Sequence, residues 1–469
     1  MDSNAKSTLN QTKLLKQKKL LLNGKLDISL TDILSSENCQ RIISESREFR
    51  DRIYTPLKTI LVFIKQILNP DKSCKHAVAG MVIEHLVHET KEPSSNTGPY
   101  CKARIRLPES TIKNLVNELG EKAKKNSFEK WLWRNRNVHI VDGTTVPMPD
   151  TGENRETFLR HTNVAGEVAF PLARIVIIIS LSVGTIIDYA IGACKGKGTG
   201  EHSLLRTILH RLKNGDVLLG DAYYPSFFLI AALLNLEVDG IFSGKISRKN
   251  DFRKGEHLGK NDHLVEWQKP EKPDWMNEET YNAYPKRMCV REFKSNGKTY
   301  ITTLLHHKKY NKNELAKLYG FRWQIEITIR DIKITMNMNM LSCKTPEMIR
   351  KEIGTHFLGY NCIRILMAEA CIKYNVIPYQ ISFNGTLQLL NKFMPYFTKK
   401  NAHTNERIFS NLLRLIVKNK VGNRPGRLEP RMLKSGRRKR FETLTSPRII
   451  EKIKLEQKRE QRVLKYAEA

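Results

Sequence analysis

The sequence predicts an α/β protein in which a mixed sheet is flanked by helical segments at both ends. Three observations carry this. Apolar residues recur at helical spacing up to about residue 130, and the period then shortens. From about 137 to 246 the order reads three strands, helix, strand, helix, strand. After a charged interruption, helical spacing returns at about 306 and runs to about 396.

Each segment has its own reason. "TPLKTILVFIKQIL" (55–68) and "STIKNLVNELGEKAKK" (110–125) are amphipathic helices, separated by the turn-rich "KEPSSNTGPYCK" (91–102). "KLLKQKKLLLNGK" (13–25) is basic and amphipathic, either a solvated face or a DNA contact. "NVHIVDGTT" is strand-like, and "LARIVIIISLSV" with "TIIDYAIGACKG" forms a hairpin of two buried strands. "EHSLLRTILHRLK" (201–213) and "YPSFFLIAALLNLEVD" (224–239) are helices; "DVLLGD" (216–221) and "GIFSGKI" (240–246) are short buried strands. These readings divide the chain into a helical region 1–130, a sheet region 131–246, a mostly β insertion 247–305, a helical region 306–396 and a basic region 397–469.

Composition narrows the function. The chain has 469 residues, 80 Lys and Arg against 48 Asp and Glu, and a net charge of +32. Such an excess points to a polyanionic partner, above all nucleic acid. Residues 399–469 hold 21 of the basic residues and 7 of the acidic ones, with "KSGRRKRF" the densest part. Eight Cys without a CxxC pair exclude a zinc finger and fit a reducing cytosol. The longest apolar run, "IVIIISLSVGTII" (175–187), is broken by Gly184 and too short for a membrane span. A cytoplasmic protein is expected, nucleoid-associated if the host is bacterial.

Two acids stand where strands end. Asp142 closes an apolar strand and Asp221 closes another, so both face the crevice at the carboxyl edge of a sheet. Each has a plainer reading: Asp142-Gly143 as a turn, Asp221 as a helix cap. Asp216 begins its strand and so belongs at the opposite edge. A third acid lies in "LYGFRWQIEITIRDIKITM" (318–336), with Tyr319, Arg322, Glu326 and Lys333 spaced Y-x2-R-x3-E-x6-K. On one helix these lie within roughly 80° of each other, and Arg330 shares their face. Leu318, Phe321, Ile325, Ile329 and Ile332 form an opposing apolar stripe. A Glu326–Arg330 surface pair is the plainer reading, and Gly320 threatens the continuity of the helix. Two Asp and a Glu can hold two divalent ions, magnesium or manganese, for in-line phosphoryl displacement, while neighbouring cations clamp phosphates.

Together these segments resemble the DDE transposases of the insertion sequence 4 family. The signature around Glu326 matches that family at all four positions. "DGTTVPMPDTGENRETF" (142–158), "LGDAYYPSFFLIAALL" (219–234) and "TLLHHKKYNKNELAKLYGFRWQIE" (303–326) resemble its three acid-bearing blocks, and "NRPGRLEPRMLK" (423–434) its basic C-terminal segment. The resemblance implies an RNase H-like, retroviral-integrase-like catalytic core with a mostly β insertion between Asp221 and Glu326. It implies metal binding by Asp142, Asp221 and Glu326, and handling of transposon-end phosphates and a hairpin intermediate by Tyr319, Arg322 and Lys333. It implies a homodimer on double-stranded DNA, with the first 130 residues on terminal inverted repeats. Some relatives stack a flipped base on a Trp of the insertion, for which Trp267 and Trp275 are candidates. Two other functions stay open on the sequence alone: a DNA-binding protein that has lost transposition, and a metal-dependent nuclease of the same fold.

Several motifs point nowhere. "EHLVHET" (84–90) is not a zinc-protease motif, "GKGTG" (196–200) lacks a P-loop ending, and Met336, Met338 and Met340 read as packing residues.

Overall fold

The computed structural model describes residues 33–46, 53–87, 90, 92–163, 166–244, 251–397 and 402–422, with isolated positions between 450 and 461. The chain divides into two compact units, Met1–Val421 and Gly422–Ala469. The second lies almost wholly outside the described residues, as do the basic stretch 13–25 and the segment 423–434.

The helical start is present as α1 (Glu37–Ser44), α2 (Pro56–Leu68), α3 (Cys74–Val87), α4 (Gly98–Arg106) and α5 (Glu109–Lys125). Thr55 opens α2 by accepting the Lys58 amide, and Pro56 takes the first helical position, where no amide is needed. The sheet region follows: β1 (Val138–Pro147), α6 (Gly152–Phe158), β2 (Arg160–Asn163), β3 (Gly166–Ser180), β4 (Ile186–Ala193), α7 (Glu201–Ile208), β5 (Val217–Gly220), α8 (Phe227–Asn235) and β6 (Asp239–Ser243). The short α6 and β2 are additions that the sequence pattern did not reveal.

β1 is the axis of the sheet. It pairs antiparallel with β3, which pairs antiparallel with β4; on its other side it runs parallel to β5, and β5 to β6. The order β4-β3-β1-β5-β6, three antiparallel strands and then two parallel ones, is the RNase H-like arrangement the resemblance implied. β2 pairs with the leading end of β3.

Both faces of this sheet are covered, and the strand residues alternate between two cores. Ile140, Ile175, Ile177, Val217 and Leu219 join one core with α2, α5 and the later helices. Val141, Val176, Ile178 and Leu218 join the other with α7 and α8. Continuous apolar strands such as "ARIVIIIS" need this double burial.

Residues 256–302 extend the same sheet. They form β7 (Glu256–Gly259), β8 (Asp262–Gln268), α9 (Glu278–Ala283), β9 (Arg287–Ser295) and β10 (Lys298–Thr302). β10 pairs antiparallel with β6, and β9, β8 and β7 follow in order.

The chain then turns helical: α10 (Lys312–Gly320), α11 (Trp323–Arg330), α12 (Pro346–Tyr374), α13 (Phe383–Phe393) and α14 (Ala402–Lys418). α12 is buried along most of its 29 residues and ends at Asn375 in the left-handed conformation. Its fully buried Asn361 donates to the Val116 and Ile186 carbonyls at 3.0 and 2.8 Å and accepts the Ile186 amide at 2.8 Å. One side chain thus joins α12, α5 and β4. Arg364, one turn on, donates twice to the Val183 carbonyl and lies against Gly184, where φ is +75° and a Cβ would strike its guanidinium. Among the described residues no helix is long and apolar enough to cross a membrane.

Asn361→Leu keeps the branched side-chain skeleton but strands three backbone groups. It is expected to lower stability by about 3 kcal/mol or more, read as a shifted urea midpoint with an unchanged slope.

Candidate active site

The register of the parallel pair builds the site. β1 and β5 align Val138 with Val217 and Ile140 with Leu219. Continuing that register brings Asp142 level with Asp221 on neighbouring strands, which run about 4.8 Å apart. Asp142 does not close its strand as expected, since β1 runs on beside β3 to Pro147; it stands just past the end of the parallel ladder with β5, and there it meets Asp221. Asp216 sits at the other end, where its carboxylate meets the His139 ring at 2.9 Å and the Lys213 amide at 3.0 Å.

Asp142 is costly to ionise. Its carboxyl is pushed up to about 6, first by burial and then by the Asp221 and Glu201 carboxylates. The Gly143 amide, donating at 2.8 Å, and Arg322 act in the opposite direction. Asp221 accepts the Tyr223 amide at 2.9 Å, a turn that fixes the start of the next loop.

The third acid arrives from the layer that holds α12. Glu326 lies on α11, and its partner is Arg322 rather than Arg330. Arg322 also reaches Asp142 at 3.7 Å, so one guanidinium spans the first strand and the helix. Arg330 is exposed and pairs with its neighbour Asp331 at 3.3 Å; no bond ties it to the site. The Glu326–Arg330 pair of the plainer reading does not form: Arg322, one turn earlier, takes Glu326 instead. α10 ends at Gly320, Arg322 precedes α11, and Asp331–Thr335 form a wider turn closed from the Met336 amide to the Asp331 carbonyl. The wide turn aims Lys333 at β1, where its ammonium donates to Thr144 Oγ1 at 3.3 Å and the Thr145 carbonyl at 2.9 Å. Burial holds that ammonium below its ordinary range.

Tyr319 is buried. Its ring meets Tyr300 edge-on at 5.2 Å and its hydroxyl is hydrogen-bonded to Ser243, while burial pushes the phenol up. The apolar stripe behaves as expected: Leu318, Ile325 and Ile332 are in the core, with Phe321 and Ile329 packed against it. Trp267 is a packing residue, buried with its indole N–H on Glu292 at 3.1 Å. Trp275 is half-exposed under the Arg206 guanidinium, 3.7 Å from its ring centre. Met336 and Met338 are buried, whereas Met340 is exposed and is not the packing residue its spacing suggested.

A sequence profile described as a transposase DDE domain matches residues 133–362, a span that contains Asp142, Asp221, Glu326 and Lys333. The chain is also 25% identical over 301 residues to the transposase InsG of insertion sequence element IS4 from Escherichia coli, covering 61% of this chain and 67% of that one. Both matches support a DDE transposase of the insertion sequence 4 family. The transposase is therefore an enzyme that cleaves DNA and transfers its strands, and members of this family work with divalent metal ions. Its backbone is also similar, with a TM-score of 0.43 and 8% identity over 84% of this chain and 82% of the other, to piggyBac transposase in a synaptic complex with hairpin DNA.

Two residues that the sequence reading did not single out lie beside Asp142 and Gly143. Glu201 opens α7, and its carboxylate lies against Gly143, where a Cβ would stand 2.3–2.6 Å from it. Tyr224 is fully buried and donates its hydroxyl to Glu201 at 3.3 Å; burial and the Glu201, Asp142 and Asp221 carboxylates push its phenol far up. The signal was present. A glycine-rich turn followed by Glu at the start of a helix, after the third core strand, delivers a carboxylate to the sheet edge.

The charge at Asp142 costs stability while no cation is bound. Asp142→Asn removes the repulsion and most of the desolvation, and is expected to stabilise the metal-free protein at pH 8 by up to about 3 kcal/mol. Thermal unfolding in a chelator checks this; a lowered midpoint would contradict it.

Proposed function

We propose that the transposase cuts an element out of DNA and pastes it elsewhere through one site, in which Asp142, Asp221 and Glu326 hold two divalent ions, magnesium or manganese. The observation that carries the reading is the pairing of Asp142 with Asp221 across β1 and β5, with Glu326 reaching the same edge from the opposing helix. The donors are all carboxylate oxygens, which suits those ions. The raised Asp142 carboxyl fits a site completed by a cation.

As they stand, no three acids among the described residues are close enough to grip one ion. Arg322 keeps Glu326 from the aspartates, because it holds Glu326 and reaches Asp142. DNA supplies the exchange: a phosphate takes the guanidinium, bidentately where geometry allows, and Glu326 is released to join the two aspartates. Bound ions would stabilise the attacking and leaving oxygens of an in-line displacement. Lys333, anchored to Thr144 and Thr145 beside Asp142, presents its remaining donor to the strand being cut. Tyr319 supports Arg322 from below more than it meets DNA directly, since its ring is buried.

The partner is double-stranded DNA. Water nicks each transposon end, the freed 3′ hydroxyl closes a hairpin on the opposite strand, and the reopened end joins target DNA. A homodimer holds both ends, the first 130 residues read the terminal repeats, and the basic region 397–469 adds sequence-independent grip. A cytoplasmic, nucleoid-associated location follows from that partner.

The test uses the purified full chain, Mg²⁺ and a plasmid carrying the coding region with its native flanks. Discrete double-strand breaks at both flanks are expected, with Glu326→Gln and Asp221→Asn reducing them by about 10³-fold or more. Random nicking that requires Glu326 would indicate a nuclease instead. Tight binding by folded protein without cleavage would indicate a DNA-binding protein that has lost catalysis.

A further inference from the structure

We infer that Glu201 is a fourth carboxylate of the catalytic metal site, delivered from the opposite face of the sheet to Glu326. The inference rests on the metal-site reading above, which the family matches carry independently of any crowding of acids. It adds a residue that the D, D, E pattern does not contain.

The geometry begins with side-chain alternation on β1. Asp142 and Gly143 point to opposite faces, Asp142 towards the layer of α11 and α12, Gly143 towards the layer of α7. The absent side chain at 143 leaves a notch at the sheet edge. The Glu201 carboxylate fills it: all three of its head-group atoms stand within 2.6 Å of the place a Cβ would take. Any residue but glycine at 143 would push that carboxylate out. The notch brings Glu201 beside Asp142 and Asp221: its charge raises Asp142, and the Asp221 carboxylate raises Glu201 in turn.

The surroundings of Glu201 do not explain it as an ordinary helix-opening acid. Such an acid gains from the helix dipole at an exposed end. Glu201 is half-buried, raised above its usual range by burial, and set beside a second carboxylate. Among the described residues its hydrogen-bond donor is the Tyr224 hydroxyl at 3.3 Å, itself fully buried beside the acids. That bond orients the carboxylate and leaves its other oxygen available. Arg174 offsets part of the charge from a distance while donating to the Thr199 carbonyl at 3.0 Å. An acid driven into a like-charged, half-buried notch and aimed by a tyrosine suits a site completed by cations. With Glu201 included, carboxylates converge on the edge from two neighbouring strands and from helices on both faces.

The test measures Mn²⁺ binding to the full chain by electron paramagnetic resonance, with Fe²⁺-driven backbone cleavage as a second readout. Glu201→Gln is expected to weaken Mn²⁺ binding about 10-fold or more, while its thermal midpoint in chelator stays unchanged or rises. Wild-type protein loaded with Fe²⁺ and given ascorbate and peroxide should be cut near residues 142, 221 and 201, and Glu201→Gln should lose only the last cut. Gly143→Ala touches no acid, yet should reproduce the weaker Mn²⁺ binding by displacing Glu201, so the inference remains testable if Glu201→Gln folds poorly. Wild-type Mn²⁺ affinity in both variants, with binding lost in Asp142→Asn, would overturn the role of Glu201 and leave the three-acid site standing. Wild-type affinity in Asp142→Asn as well would overturn the metal-site reading itself.

Discussion

Like charges crowded at one edge of a sheet are the constraint on which this structure turns. The Asp221 and Glu201 carboxylates push Asp142 up, Asp221 pushes Glu201 up, and burial raises the cost of both Asp142 and Glu201. Folding alone does not favour such a cluster. It persists because a rigid frame leaves the strands no alternative: β1 is laddered on both sides and packed on both faces. Arg322 softens the repulsion by bridging Asp142 and Glu326. The same guanidinium holds the site in a closed arrangement until a more attractive anion arrives.

The frame is built to resist that strain. α12 runs through the core for 29 residues and fastens the helical start of the chain to the sheet through Asn361, Arg364 and the packing of α5. At Gly120 a Cβ would stand 2.3 Å from the Ile186 carbonyl, so α5 lies directly on β4. Tolerances of this kind keep the acids from relaxing apart. Stability is concentrated in the packed helices and spent at the sheet edge, as expected where function opposes folding.

What was legible in the sequence follows from physical range. Strands buried on both faces give unmistakable apolar runs, so β1, β3, β4, β5 and β6 could be read directly, although β1 continues past Asp142 to Pro147 because β3 still pairs with it there. The Tyr-Arg-Glu-Lys spacing was equally plain, but its geometry was not. An ideal helix cannot foresee the break after Gly320 or the wide turn at Asp331–Thr335 that carries Lys333 to Thr144 and Thr145, and it offers Glu326 an arginine one turn away on either side without showing which it takes. α6 and β2 escaped because a short helix and a four-residue strand carry little periodicity. Glu201 escaped for a different reason: its glycine-rich turn and helix start are visible locally, but the notch it fills is the missing side chain of a residue 58 positions earlier, which no local pattern records.

The insertion has a consequence for how this enzyme could be shortened. Because β10 continues the ladder of β6, residues 256–302 seal what would otherwise be the terminal strand of the parallel half. Cutting them away would bare the Asp239–Ser243 strand along a row of unpaired amides and carbonyls, one strand from Asp221. Open strand edges recruit other chains. A compact relative lacking this insertion must therefore cap that edge by other means, or exist as an assembly joined strand to strand.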